Sequence, residues 1–184
     1  MKVMLKNARL AFSQNLFKPG KMNEDDTPAY SASLILDPEN NAEDIKKVEE
    51  ALAAAAKEKW GAKADAMLTK LRSADKLALH DGDTKADYDG FAGNLFVSAR
   101  SKTRPTVVDR DRSPLTEADG RPYAGCYVNA QVEIWPMDNG FGKRINAQLR
   151  GVQFVADGEA FAGGGVAAAD EFDELEPETA DDLV

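Results

Sequence analysis

At 184 residues, of which 43% are hydrophobic, the chain is sized for one globular domain with a real core and not for two full domains. It holds no run of about 18 apolar residues, and its opening Met-Lys-Val-Met-Leu-Lys-Asn lacks the greasy stretch of a secretory signal, so no membrane association is expected. A net charge of -9 argues against a polyanionic partner only if the charge is spread evenly along the chain.

From the N-terminus, residues 2–12 alternate loosely, with Met4, Ala8, Leu10 and Phe12 on one face and Lys2, Lys6 and Arg9 exposed, which predicts a strand. The stretch from Lys18-Pro19-Gly20 to Thr27-Pro28 is loop by its composition, and residues 30–36 read as a second strand stopped by Asp37-Pro38. Ile45, Val48, Leu52 and Ala56 then recur at helical spacing, with Asn40 or Asn41 as N-cap. A shorter helix covers about 63–71 with Met67, Leu68 and Leu71 inward, and residues 80–93 form a polar connection rich in Asp and Gly.

Three strands follow whose alternation is unusually clean. Leu95, Val97 and Ala99 face one way, and Phe96, Ser98, Arg100, Lys102 and Arg104 the other. In 123–135 the apolar stripe is Cys126, Val128, Ala130, Val132 and Ile134, opposite Tyr123, Tyr127, Asn129, Gln131 and Trp135. From residue 144, Ile145, Ala147 and Leu149 alternate with Arg144, Asn146, Gln148 and Arg150 until Gly151, where a bulge is expected to break the phase.

Each strand thus has an apolar face and a face that mixes rings with cations. Single-stranded nucleic acid presents a string of phosphates and unstacked bases, so a groove that binds it needs cations along the backbone path and flat rings between them. The candidate DNA-binding set is therefore Phe96, Arg100, Lys102, Arg104, Tyr123, Tyr127, Trp135, Arg144 and Arg150, with Lys18 and Lys21 as loop contributors. The competing reading is that these rings are simply good strand formers, some of them closing a second core layer under the helices.

The acidic charge gathers at the end. Ten of the 32 acidic residues, and none of the 23 basic ones, lie in 157–184, which leaves residues 1–156 with 23 basic against 22 acidic groups, a net of +1. After Phe161 an Ala/Gly linker leads into a segment too charged and too poor in apolar residues to fold alone, so the boundary is placed near Gly158, with a domain over 1–157 and a disordered tail over 158–184. Asp170, Glu171, Phe172, Asp173, Glu174, Asp181, Asp182, Leu183 and Val184 form a candidate peptide ligand for a partner's basic-rimmed pocket. A purely solubilising tail is the alternative.

Other chemistries fit less well. The one cysteine, Cys126, and the one histidine, His80, exclude an internal disulfide and a Cys/His zinc cage, and point to a reducing cytoplasm. Asp81, Asp83, Asp87 and Asp89 resemble neither an EF-hand, since Lys85 and Ala86 stand where a ligand and a Gly belong, nor carboxylates fixed on strands as a two-metal nuclease would need. Cys126 reads as a small core residue. Asp109-Arg110-Asp111-Arg112 is either a self-paired loop or a phosphate contact.

The blocks Asn7-Ala-Arg-Leu-Ala-Phe-Ser13 with Asn15-Leu-Phe-Lys-Pro19, Tyr30-Ser-Ala-Ser-Leu-Ile-Leu36, His80-Asp-Gly-Asp-Thr84 and Tyr123-Ala-Gly-Cys-Tyr127 stand in this order along the chain, with Asp157-Gly158-Glu159 after the last strand. Together they resemble a bacteriophage family, first described as a domain of unknown function, of OB-fold single-stranded-DNA-binding proteins. The chain departs from that pattern at His80, where the family has Arg. The resemblance implies a mainly β fold with a helical insertion, built as a five-stranded OB-fold barrel over about 2–155, whose face and loops hold oligonucleotides. It further implies a non-enzymatic, cofactor-free protein that coats single-stranded DNA without sequence preference in the cytoplasm of an infected cell. On this reading the tail recruits phage or host replication and recombination proteins, and a homodimer is compatible with it. A protein- or RNA-binding OB module, and more distantly a metal-dependent nuclease, are the alternatives.

Overall fold

Alternation decides which side of each strand turns inward, and the computed structural model, which describes residues 1–21, 23–161 and 172–177, follows it closely. Its strands are β1 (Lys2–Ala11), β2 (Tyr30–Leu36), β3 (Leu79–Asp81), β4 (Leu95–Ser101), β5 (Thr106–Val108), β6 (Tyr127–Asn139) and β7 (Gly142–Ala156). Two helices, α1 (Ala42–Trp60) and α2 (Ala64–Ser73), are inserted between β2 and β3. The hydrogen-bonded order is β3-β4-β2-β1-β6-β7-β5, and a further parallel pairing of β4 with β7 closes β4-β2-β1-β6-β7 into a ring. That ring supplies the five strands expected of an OB fold, with β3 and β5 as short additions at its margins.

The interior of the ring is the inward stripe of each strand, including Leu5, Leu10, Leu34, Val97, Val128, Val132, Ile145 and Leu149, all buried. Helix α1 lays Val48, Ala51, Leu52, Ala55 and Ala56 against β1 and β6 as part of the same core. Its expected cap is used differently. Asn41 stands at the N-cap position but makes no side-chain cap bond. Instead it donates from Nδ2 to the Lys6 carbonyl at 2.9 Å and accepts from the Asp37 amide at 2.9 Å, while Asp44 accepts from the Lys6 amide at 2.9 Å.

Those bonds serve a bulge in β1 that sequence alternation alone passes over. The register shifts between Leu5 and Ala8, with Asn7 at φ 56°. Val3 and Leu5 therefore point inward ahead of the bulge, and Ala8 and Leu10 beyond it. Met4, expected on the face of Ala8 and Leu10, is 42% exposed for that reason. In β7 the bulge falls where Gly151 marks it: Val132 faces Leu149 and Gln131 faces Gly151, which leaves Arg150 as the extra residue.

β2 shows a second departure. All five residues from Ala32 to Leu36 are buried, since the outer side of the sheet is covered here as well. The connection 82–94 folds over it and packs Phe91 with Ala11, Ile35 and Phe96 in a small second core that Phe12 and Phe161 border. Asp81 and Asp83, part of the predicted polar connection, hold it in place: Asp81 accepts from the Asp83 amide at 2.9 Å and Asp83 from the Gly93 amide at 2.8 Å. Among the described residues no three His, Cys, Asp or Glu side chains converge on a metal position, and no helix is long and apolar enough to cross a membrane.

The blocks that looked separate in sequence meet at the end of the domain. Gly125, at φ 104°, lies so close to the 158–160 backbone that a Cβ would come within 2.2 Å of the Glu159 carbonyl oxygen. Arg9 clamps the crossing, donating to the Gly125 carbonyl at 3.0 Å and the Glu159 carbonyl at 2.8 Å. Cys126 is fully buried beside it, and burial pushes its thiol up to about 11. The native protein should therefore resist a thiol reagent at pH 8 and react only as fast as it unfolds, which the rate of reagent uptake with and without urea measures. Phe96→Ala, which empties the second core, should cost about 3–5 kcal/mol of stability in urea unfolding.

Candidate nucleic-acid interface

A groove of about 970 Å³ runs over the part of the outer face that the 82–94 connection leaves open. Its floor is set by register. The β4–β7 pairing puts Arg100 opposite Gln148, and the β6–β7 pairing puts Trp135 opposite Asn146 and Met137 opposite Arg144. Paired residues share a face, so the cations of β4 and β7 are brought to the ring of β6. Lys102 and Thr103 continue the line beyond β4, and Asp26 and Thr27 of the first long loop border it.

Of the nine expected DNA contacts, Arg100, Lys102, Trp135 and Arg144 line this groove. Trp135 is 41% exposed, enough to offer a ring face to a base. Among the described residues neither Arg100, Lys102 nor Arg144, nor Arg104 beyond the groove, lies within ion-pair distance of a carboxylate. These charges remain available to phosphate.

The other expected residues are placed differently, each for a local reason. Phe96 is on the outer face but belongs to the second core, with Phe91 edge-on at 5.0 Å and His80 stacked on it at 4.9 Å. Its covering is the 82–94 connection and not the helices. Tyr127 carries the Arg9 guanidinium at 5.8 Å, and Arg9 is itself 4.4 Å from the Phe161 ring, so that ring already has a cation. Tyr123 packs against the main core and donates its hydroxyl to Asp157 at 2.7 Å, an interaction that raises its pKa. Arg150, the bulged residue, donates from Nε to Glu133 at 2.8 Å and holds that carboxyl below its usual range. Arg104 is exposed but does not line the groove.

Neither loop lysine lines the groove: Lys18 pairs with Glu117 at 3.2 Å, and Lys21 donates to the Glu24 carbonyl at 3.4 Å. In the stretch 109–112, Asp109 pairs with Arg121 at 2.7 Å, which lowers the pKa of the acid, and Arg110 donates to the Val155 carbonyl. The tail residues Phe172, Asp173 and Glu174 are exposed. Asp170, Glu171, Asp181, Asp182, Leu183 and Val184 lie outside the described residues.

Several groove residues were absent from the sequence-based set. Ser98, Asn146 and Gln148 come from the polar faces that alternation predicts, and Met137 and Phe141 from the β6–β7 hairpin. His80 separates the groove from the second core; its Nδ1 lies 2.6 Å from Asp75 Oδ1.

The family described as Enterobacter phage Enc34, ssDNA-binding protein, matches residues 1–184. A protein of Acyrthosiphon pisum secondary endosymbiont phage 1, named putative protein p50, is 46% identical over 177 residues, covering 95% of this chain and 94% of its own. The single-stranded DNA-binding protein from bacteriophage Enc34, solved in complex with ssDNA, aligns with a TM-score of 0.74 at 27% identity over 88% of this chain and 89% of that one. The single-stranded DNA binding protein gp2.5 of bacteriophage T7 aligns at a TM-score of 0.56 and 14% identity over 98% of both chains, a likeness of fold alone.

Proposed function

The chain belongs to the family of the Enterobacter phage Enc34 single-stranded-DNA-binding protein, a non-enzymatic family, and we propose that it holds the strand in the groove, on Arg100, Lys102, Trp135 and Arg144. The observation that carries this reading is the meeting, on a single face, of one exposed indole and three cations that have no carboxylate partner among the described residues, brought there by β4 and its continuation, β6 and β7. Phosphates would lie against the cations and a base against Trp135. Such contacts are indifferent to base identity, so the protein coats DNA without sequence preference, in replication or recombination in the cytoplasm of the infected cell.

Trp135 is the ring to follow by fluorescence, because Trp60 is engaged elsewhere, donating Nε1 to Asp138 at 3.0 Å. Titration with poly-dT should quench the wild type, and Trp135→Phe should abolish most of the quench. Trp135→Ala should fold and lose about 1–3 kcal/mol of binding. If the three groove cations each neutralise one phosphate, log affinity should fall with log salt at a slope of roughly -2, and Arg100→Ala should reduce that slope by about 0.7. Unchanged affinity and slope in both variants would rule the groove out as the DNA path.

The division of labour along the chain follows the charge. The domain takes residues 1–157, with Gly158–Phe161 lying back on it through the Arg9 and Phe161 contacts, and the remaining acidic segment recruits replication and recombination proteins while competing with DNA for the cations. Truncation after Val166 should tighten DNA binding at low salt and weaken capture of the partner polymerase or recombinase. Equal affinity of the truncated and full-length chains at low salt would contradict the competition.

A further inference from the structure

Beyond the ring, β6 and β7 continue as a two-stranded finger. The N-terminal strand and Met1 accompany β6 only as far as Ile134, and Leu77 bridges β7 at Ile145, whereas β6 and β7 stay paired to Asn139 and Gly142. The two-residue loop at the tip, Gly140-Phe141, holds the most exposed large apolar side chain among the described residues: Phe141 is 97% exposed and lines the end of the groove. Neither Gly140 nor Phe141 has positive φ, which falls instead on Gly142, so the loop tolerates most residues and no conformational need selects a phenyl ring there.

The finger is also braced. Its turn is fixed by the Phe141 amide donating to Asn139 Oδ1 at 2.9 Å, and its back by the Trp60–Asp138 bond from the end of α1. A bare two-stranded hairpin is marginal in water, so these bonds decide where the ring stands. Its surroundings point to a nucleic acid as occupant. Exposed Lys143 and Arg144 follow it on β7, with Arg144 opposite Met137 inside the groove.

We propose that Phe141 is a second base-stacking residue that closes the end of the groove over the strand, so that Trp135 and Phe141 hold two bases of the same strand with the Arg144 cation between them. From Trp135 to the tip the hairpin advances four residues, about 13 Å at strand rise, which leaves room for intervening nucleotides. This rests on the groove being the DNA path, and it adds a direction: the bound segment ends at the finger.

The test uses the full-length chain and a series of oligo-dT lengths, with Phe141→Ala, Phe141→Leu and Phe141→Tyr beside Trp135→Ala and Arg100→Ala. Phe141→Ala should weaken long oligonucleotides roughly five- to a hundredfold, the effect of losing one stacked base, and should bind like the wild type on those too short to span from Trp135 to the tip. Its salt slope should not change, since no phosphate contact is lost. Phe141→Tyr should restore affinity and Phe141→Leu should not. The melting temperature should stay that of the wild type, because a ring this exposed buries nothing. Full affinity of Phe141→Ala at every length, restoration by Leu equal to that by Tyr, or a fall in melting temperature matching the loss of binding would overturn the assignment. The first of these with Trp135→Ala and Arg100→Ala still impaired leaves the groove reading standing; full affinity in all three variants removes both.

Discussion

The closure of the sheet between β4 and β7 is the constraint on which the rest depends. It is short, joining Ala99 with Ala147 and Arg100 with Gln148 in parallel register, and by itself such a ladder is weak. It is supported from inside, where both alanines are buried and Val97, Ile145 and Leu149 pack beside them in the ring's core. Small side chains at the seam let the two strands approach without displacing that core. The consequence appears on the other side of the same strands. Arg100 reaches the groove from β4 while Trp135 and Arg144 reach it from the β6–β7 hairpin, and only the seam makes them neighbours. Core packing and binding surface are two faces of one pairing.

The outer face is divided between two uses. Toward one end the connection 82–94 covers it with Phe91 and makes a second core; toward the other it stays open as the groove. His80 marks the border, stacked on Phe96 and also lining the groove. A sheet exposing its whole mixed face would leave a large apolar area in water, with the association risk that brings. Covering part of it buries Phe96 and leaves Trp135 exposed on the open part, beside the groove cations. Asp81 and Asp83 are therefore structural, their carboxylates spent on backbone amides of the loop that does the covering.

Much of this was legible in the sequence. Period-two alternation in 95–101, 126–134 and 145–149 fixed which side chains turn outward, and Gly151 gave away its bulge, because burial on one face leaves strands no other phase. What alternation cannot carry is the fate of an outward residue. Phe96 is outward and yet covered, since a loop returns over it. Tyr127 and Arg150 are outward and already partnered, by Arg9 across more than a hundred residues and by Glu133 across a bulge. The β1 bulge was hidden because Lys6 and Asn7 are polar in either phase, and its anchors, Asn41 and Asp44, stand at the N-cap and in the first turn of α1. Phe141 did leave a signal, an aromatic residue in a turn of Asp, Asn and Gly, but one that a search for alternating faces passes over.

The charge of the molecule also has to be read by place. Affinity for a polyanion depends on how many phosphates are neutralised, each releasing its counterions, and not on the sum over the chain. Residues 1–156 carry a net of only +1 because most cations there are balanced by acids, several of them in direct pairs such as Arg72–Glu49, Arg121–Asp109 and Arg150–Glu133. Those pairs withdraw cations from the rest of the surface and leave Arg100, Lys102 and Arg144 as a local excess within one groove. Screening over about 8 Å at physiological salt makes that neighbourhood, and not the distant acidic residues, the field that an arriving strand meets. A protein with a net charge of -9 is thus compatible with a cationic binding face. An acidic segment tethered to the same chain acts on that face only when it comes within reach, at an effective concentration set by its linker, which makes its influence adjustable by salt and by any partner that engages it.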